Sequence, residues 1–300
     1  MYRKNKKNLE DINILFIIVI LTYSLAFKFL YYFFSRLNMD SKFVVTILAS
    51  ITSFIPIYIT DKKDYIRTIE EGKGLDFKSY LFAFFIMIFL NNLSYYFSMG
   101  IETNMNKIGY SIIVSSSVNM GNSDYMVRLF YSILVAPLVE ELIYRDYFFS
   151  NLNNYGTFFG IIVSSLFFGI MHENLPQFAL GFSLGILFSL VYIITGSVRP
   201  VVILHMLNNL YGTLYNEFIY GFLKNDGDLQ KVLLMELLIF TVLAIIAIIY
   251  FINYTDAGKI LREKKIAYEK IYFKEYIKLK STWIIVAGFI VAIINSISKI

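Results

Sequence analysis

Three charged side chains lie close together in a segment that is otherwise apolar enough to cross a bilayer. Glu140, Glu141 and Arg145 fall within residues 125–149. An ionisable side chain at membrane depth costs at least ~2.5 kcal/mol on insertion scales, so these residues are candidates for a functional site. A carboxylate in a polar cavity inside the membrane can take a proton from water and act as a general base.

Helix geometry predicts different roles for the three charges. Glu141 and Arg145 are four residues apart on one helix face, with the acid before the base, which indicates a structural ion pair. Glu140 is turned by about 100° from Glu141 around the axis, so we expect the carboxylates to face different partners and Glu140 to face a polar cavity. Pro137 has no backbone N–H and is expected to kink the helix and to free a carbonyl. The alternative is that the charges only fix helix packing, with the second carboxylate protonated.

The two histidines of the chain, His172 and His205, both follow Glu140 and lie within or at the edge of predicted spans. Phe168 is one turn before His172, and Asn209 is one turn after His205, so each pair shares a helix face. A lone histidine in a membrane helix is well explained by a structural hydrogen bond. Together, however, these residues indicate a site that activates water, with Glu140 as base and His205 and Asn209 donating to an oxyanion.

A metal site is an open alternative for the same residues. Two histidines and one glutamate form a recognised catalytic zinc set, so Glu140, His172 and His205 are the expected ligands if a divalent metal such as zinc is present. The short His-Glu-x-x-His arrangement is absent, and the chain has no cysteine to supply a thiolate ligand. The sequence therefore indicates no cofactor with certainty.

The composition predicts a membrane protein that crosses the bilayer many times. Hydrophobic residues make up 57% of the 300 residues and charged residues 16%, against about 25% charged in a soluble domain. Apolar runs of about 20 residues predict an all-α bundle of eight or nine transmembrane helices around a polar catalytic cavity. The predicted spans are 12–34, 43–60, 79–98, 125–149, 156–172, 177–195, 200–218, 232–253 and 281–299. We divide the chain into N-terminal helices with a basic loop (1–124), a catalytic core (125–218) and C-terminal helices with a second basic loop (219–300).

The positions of lysine and arginine predict the orientation. Basic residues are concentrated in the N-terminal tail and in the loops after the second and eighth spans, which places the N-terminus in the cytoplasm and the chain in the cell membrane. The first apolar run continues to about residue 34 without a cleavage site, so it is expected to be a retained span. The basic segment 259–280 is either an amphipathic helix on an anionic leaflet or a solvated loop. Because the net charge of +5 arises in these loops, no nucleic acid partner is expected.

Three motifs occur complete and in order: Glu-Glu-x-x-x-Arg at 140–145, Phe-x-x-x-His at 168–172 and His-x-x-x-Asn at 205–209. Together they resemble the signatures of the CAAX prenyl endopeptidase and bacteriocin-processing family of intramembrane proteases, also called the Abi family. The segments 181–185 and 195–200 are similar to the connecting region of that family, and the resemblance covers about residues 125–215. Gly181 and Gly185 also form a small-residue face suited to close helix packing.

The resemblance implies a helical core that cleaves peptide bonds at or within the membrane. By the family pattern, Glu140 and His172 would activate the water. His205 and Asn209 would stabilise the oxyanion. The pattern gives supporting roles to three further side chains, Glu141, Arg145 and Phe168. The family has been described both as metalloproteases and as glutamate-dependent proteases, and the motifs are compatible with either.

The expected partners are the lipid bilayer and a peptide or membrane-anchored protein substrate. The family suggests CAAX-type cleavage, processing of peptide pheromones or bacteriocins, or self-immunity, with a leader or C-terminal peptide presented from the cytoplasmic side. One alternative is a non-catalytic scaffold, or an immunity or regulatory protein that acts by binding. Another is an ion-coupled carrier, which is less favoured because the sequence shows no inverted repeat.

Overall fold

The computed structural model describes residues 7–36, 42–61, 72–113, 122–222, 226–255 and 269–300. Apart from turns and one antiparallel pair of two-residue strands, the described residues are helical, which confirms the all-α class. In chain order the elements are α1 (Leu9–Arg36), α2 (Lys42–Ser53), α3 (Ile55–Asp61), α4 (Phe77–Asn106), β1 (Tyr110–Ser111), α5 (122–155), α6 (Thr157–Ile170), α7 (Leu175–Thr195), α8 (Arg199–Phe222), α9 (Asp226–Tyr254), α10 (Glu269–Lys278), α11 (Lys280–Ser296) and β2 (Ser298–Lys299).

The length and hydropathy of the described helices do not confirm the eight or nine spans that the sequence predicts. Among the described residues, five helices are long and apolar enough to cross a membrane: α1, the combined α2 and α3, α4, α7 and α9. The pair α10 and α11, bent by 71°, makes a sixth candidate. The 14 residues of α6 reach only about 21 Å, short of a hydrocarbon core of about 30 Å. The chain is nevertheless a multi-pass membrane protein.

The helices run alternately between two ends of the bundle. At one end, the Lys7 Nζ donates to the Tyr147 hydroxyl at 2.8 Å, and the Lys73 N–H donates to the Thr195 carbonyl at 2.8 Å. We call this the basic end; it comprises the starts of α1, α4, α6 and α8 and the ends of α5, α7 and α9. At the far end, β1 pairs with β2, and the turn between α6 and α7 lies at the same end.

Two buried apolar clusters hold the bundle together. One joins α1, α5, α6, α10 and α11, where the rings of Phe16 and Phe167 stack with centroids 3.9 Å apart. The other joins α4, α7 and α8 around the fully buried Phe188. Between the clusters, α6 and α7 approach closely, because a Cβ at Gly185 would lie 2.9 Å from the Cα of Ser165. The packing role predicted for this glycine face is therefore seen in the structure.

A carboxylate from α10 caps the start of α6. The residue before α6 is Gly156, which has φ +142° and no side chain to accept from the free N–H groups of the first turn. The Glu269 Oε2 instead accepts from the Phe159 N–H at 2.8 Å, and Glu269 is only 4% exposed. The described part of the basic segment, residues 269–280, is therefore mainly a helix that packs on the bundle and not a solvated loop.

Replacing Glu269 with alanine is expected to lower the free energy of unfolding by about 1–3 kcal/mol, because the buried Phe159 N–H loses its acceptor. Unfolding in detergent micelles, followed by circular dichroism, measures the loss. Glu275→Ala is the matched control: this carboxylate lies on the same helix in an exposed ion pair with Lys278, and such pairs contribute little. Equal losses for both variants would contradict the capping role.

Candidate active site

The helix α5 changes its hydrogen-bonding register along its length. Two π-helical stretches flank a short α-helical segment that contains Pro137 and both glutamates. Its parts are α-helix Asn122–Phe130, π-helix Tyr131–Val135, α-helix Ala136–Glu141, π-helix Leu142–Phe149, α-helix Ser150–Leu152 and 3₁₀-helix Asn153–Tyr155. Single π turns inside α-helices are frequent at functional sites.

Pro137 frees the carbonyl of Ser132. In α-helical register this carbonyl would accept from the N–H of Ala136, which donates to the Tyr131 carbonyl instead. In π-helical register its donor would be residue 137, a proline without an N–H. The side-chain amide of Asn209 donates to the Ser132 carbonyl at 2.7 Å. The freed carbonyl that the sequence predicts is therefore present, and its partner comes from α8.

A series of amide hydrogen bonds runs through Asn209 and connects three helices. The Asn91 Nδ2 on α4 donates to the Asn208 Oδ1 at 2.8 Å, and the Asn208 Nδ2 donates to the Asn209 Oδ1 at 3.1 Å. The same series continues from Asn209 to α5. Asn209 thus has one side-chain N–H engaged, and an amide carries two.

Asn209→Ala is expected to cost about 1–3 kcal/mol of stability, because the Ser132 carbonyl loses its donor in a half-buried position. Thermal unfolding in detergent checks this expectation. The control is Asn104→Ala. The Asn104 Nδ2 also donates to a backbone carbonyl, that of Gly100 at 2.9 Å, but this bond is exposed, so water can replace it. If the two variants unfold at the same temperature, the Ser132 carbonyl does not depend on Asn209.

Both glutamates of α5 face the ring of His205. The Glu141 Oε1 lies 2.7 Å from the His205 Nδ1, while the Glu140 Oε2 lies 3.8 Å from the Nε2. The expectation that the two carboxylates face different partners is therefore wrong. The imidazole presents its two nitrogens on different edges, and a glutamate side chain is long enough for both residues to reach the same ring.

The Glu141–Arg145 pair is present as predicted and is buried. The Arg145 Nε lies 3.1 Å from the Glu141 Oε2, and both side chains are 0% exposed. No guanidinium N–H of Arg145 makes a hydrogen bond with an acceptor among the described residues. The guanidinium carbon instead lies 4.3 Å and 5.4 Å from the ring centroids of Phe168 and Phe188, in cation–π contact. The charge of Arg145 is thus balanced by one carboxylate and two aromatic faces.

A polar cavity of about 550 Å³ lies between α5, α6, α7 and α8. It is lined by the four side chains for which the sequence predicts catalytic roles: Glu140, His172, His205 and Asn209. A second cavity, of about 270 Å³, lies on the side of α1 and α2 and shares Glu140 and His172 with the first. These two residues therefore stand where the two cavities adjoin.

The position of His172 depends on close packing and on the turn that follows it. A Cβ at Gly181 would lie 2.9 Å from the His172 Cδ2, so glycine makes room for the ring. Phe168 contacts the ring edge to face, with centroids 5.4 Å apart. The next residue, Glu173, has φ +59°, and the Asn174 Nδ2 donates to the His172 carbonyl at 2.7 Å. A side-chain-bearing residue with positive φ beside a candidate site is a recognised sign of functional constraint.

The residues that a metal would require are not gathered into a coordination site in this arrangement. Within the part of the chain that the structure describes, no group of three or more His, Asp or Glu side chains is placed to hold a metal ion. The His205 Nδ1 faces the Glu141 carboxylate, so the Nε2 is the ring nitrogen on the side of Glu140. The described residues therefore do not form a metal site in the observed arrangement.

Several cavity residues lie outside the motifs. Asn91, Arg128, Tyr131 and Gln177 all line the larger cavity. The signal for Asn91 was present as an Asn-Asn pair inside an apolar span, since buried polar groups in membrane helices seek partners. The others carry no signal in their spacing, because their proximity follows from the packing of separate helices.

Residues 122–211 match the family described as type II CAAX prenyl endopeptidase, Rce1-like. This segment is an Rce1-like domain. The Rce1-like domain runs from the start of α5 into α8. It contains all three motifs and the whole of α5, α6 and α7, which are three of the helices that line the larger cavity.

Two relatives of the chain are bacterial membrane proteins. The chain is 24% identical over 175 residues to YdiL of Bacillus subtilis (strain 168), by name a membrane peptidase, covering 56% of this chain and 68% of the relative. It is 29% identical over 96 residues to the membrane-embedded CAAX protease MroQ of Staphylococcus aureus (strain USA300), covering 30% and 39%. No solved structure gives a significant match. At the level of the family, the Rce1-like domain is related to intramembrane peptidases.

Proposed function

We propose that this protein is an intramembrane endopeptidase that hydrolyses a peptide bond with water activated by Glu140 and His172. The observation that carries the proposal is that both side chains line one polar cavity together with His205 and Asn209. Water can enter a cavity of about 550 Å³ with several polar groups in its wall. Peptide hydrolysis requires a base, a group that orients the water, and donors for an oxyanion.

Glu140 is the general base. Its carboxylate takes a proton from water as the water oxygen attacks the peptide carbonyl carbon, and it passes the proton to the leaving amine when the C–N bond breaks. The Glu140 Oε2 is 3.8 Å from the His205 Nε2, too far for a direct hydrogen bond. His172 shares both cavities with Glu140 and orients the water.

His205 and Asn209 stabilise the oxyanion. The His205 Nδ1 faces the Glu141 carboxylate at 2.7 Å, which fixes the orientation of the ring. If the Nδ1 donates to Glu141, donation from the Nε2 to the oxyanion requires a ring that carries both protons. Asn209 uses one N–H for the Ser132 carbonyl and has the second for the oxyanion.

The remaining motif residues support these groups. Glu141 holds His205 and Arg145, and Phe168 contacts the rings of both histidines, with centroids 5.4 Å from His172 and 5.7 Å from His205. The substrate is a peptide or the exposed peptide segment of a membrane-anchored protein, and the bilayer is the second partner. The family context favours a CAAX-type peptide, a peptide pheromone or a bacteriocin.

Mass spectrometry of the peptides in cells tests the proposal. Cells whose chain carries Glu140→Gln, at normal level in the membrane, are expected to accumulate an uncleaved precursor that wild-type cells convert into two fragments. The fragments give the cleavage site directly. Unchanged peptide profiles together with a full biological effect of Glu140→Gln would overturn the proposal and favour a scaffold or immunity protein that acts by binding.

A further inference from the structure

We infer that the substrate peptide reaches the active site from the extracytoplasmic face, through a cleft between α4 and α7 that binds an extended stretch of it. This inference rests on the proposed peptidase function. It also revises the sequence-based expectation of a peptide presented from the cytoplasm. Three observations carry it: the position of the cleft, the distribution of basic residues and the chemistry of the cleft wall.

The cleft, which we call the access cleft, has a volume of about 570 Å³. It is continuous with the larger cavity of the active site, because Asn91, Gln177 and Leu180 line both. The remaining lining residues are Ser94, Tyr95, Ser98, Met99, Glu102, Ile113, Asn174 and Pro176. A peptide that lies in the access cleft therefore leads directly to Glu140 and His172.

The access cleft lies at the far end of the bundle. On α4 its lining residues belong to the half that ends at Asn106, and on α7 they belong to the first turns after Asn174. The Glu102 carboxylate at its edge accepts from the Ser111 hydroxyl at 2.7 Å and from the Ile112 N–H at 2.8 Å. These bonds tie the edge of the cleft to β1, which is a far-end element.

Basic residues identify the far end as extracytoplasmic. The segments 1–7, 62–78 and 259–280, which all join the basic end, contain four, five and eight of the 27 lysine and arginine residues. The far-end connections 37–41, 107–121, 171–174 and 223–225 contain only Lys107 and Lys224, with Arg36, Lys42 and Lys231 on adjoining helix ends and Lys299 in β2. Cytoplasmic segments carry the excess of lysine and arginine, so the basic end faces the cytoplasm.

The wall of the access cleft suits a peptide backbone. Its amide and hydroxyl side chains interrupt a mainly apolar surface, and such groups can donate to and accept from an extended main chain without selecting a charge. Gln177 is exposed and stands where the cleft meets the active-site cavity. Among the described residues of the wall, the one acidic side chain is that of Glu102, which accepts from Ser111 of β1 and from the next residue, Ile112.

Single cysteines test the inference cleanly, because the chain has no cysteine of its own. Met99→Cys places a thiol in the access cleft. Gly74→Cys places one at the basic end, where a Cβ meets nothing within 4 Å. In intact cells a membrane-impermeant maleimide is expected to label Met99→Cys at least about tenfold more than Gly74→Cys, which should react only after the membrane is permeabilised.

The reverse labelling pattern would overturn the inference, and so would a Met99→Cys thiol that reacts on neither side. Labelling needs no turnover, so the same pattern is expected when Glu140→Gln is also present. The absence of cleavage with intact labelling would therefore refute the peptidase function and leave the access route standing. In the active chain, a bulky maleimide on Met99→Cys is expected to slow cleavage of an externally added peptide at least about tenfold, whereas unimpeded cleavage would show that the peptide enters elsewhere.

Discussion

Glutamine in place of Glu140 is expected to lower kcat for peptide hydrolysis by roughly 10²- to 10⁴-fold, which is the usual contribution of a general base. Glutamine keeps the shape of the side chain and its place between the two cavities but cannot take a proton from water. The KM is expected to change little, because the peptide lies mainly against other residues. Purified protein in detergent or in vesicles, with the peptide found by mass spectrometry, gives both constants.

Glu236→Gln is the matched control for this prediction. Glu236 is also a partly buried glutamate on a membrane-spanning helix, and its Oε1 accepts from the Tyr211 hydroxyl. It lines neither of the two active-site cavities. The control is expected to keep kcat within about twofold of wild type; a similar fall in both variants would mean that the loss reflects a general change in the bundle.

Loss of Glu141 is expected to be the most destabilising single change in the site. Glu141→Leu leaves the buried guanidinium of Arg145 without its carboxylate, and breaking a buried pair in this way costs about 3–5 kcal/mol. It also removes the partner of the His205 Nδ1, so activity should fall with stability. Unfolding by denaturant in detergent micelles gives the free-energy change.

A double-mutant cycle separates the pair from its surroundings. Arg145→Met alone leaves the Glu141 carboxylate without its guanidinium partner and should also destabilise the protein. Glu141→Leu and Arg145→Met together remove both charges of the pair. The double variant is expected to cost about 1–3 kcal/mol less than the sum of the single variants. Strict additivity would show that the ion pair contributes nothing and that the cation–π contacts with Phe168 and Phe188 carry the interaction.

The motifs in the sequence predict the lining of the active-site cavity but not how its members bind each other. Spacing of four residues identifies neighbours on one helix, so Glu141 with Arg145 and Phe168 with His172 could be foreseen. The helical-wheel argument for Glu140 and Glu141 fails because it considers directions from the axis and ignores the reach of the side chain. The freed carbonyl could be foreseen from the chemistry of proline, but its donor on α8 could not.

The helices of the fold are predictable from hydropathy, but the predicted number of membrane spans is not confirmed. Apolar runs locate α1, α4 and α9 because each is apolar over more than 20 residues. The predicted count is not confirmed at α5, α6 and α8, where polar site residues or a short length take the helix outside the usual hydropathy or length of a span. The access cleft was also beyond prediction, since Asn91 and Gln177 are far apart in sequence and meet only through packing.

The Rce1-like domain depends on contacts with parts of the chain outside it. Its helix α6 begins on a carboxylate supplied by Glu269, and the same helix stacks Phe167 on Phe16 of α1. Both partners lie outside residues 122–211, on opposite sides of it in sequence. A chimaera that exchanged only the matched segment between relatives would sever both attachments, so grafting must carry the chain from α1 to α10 as one piece.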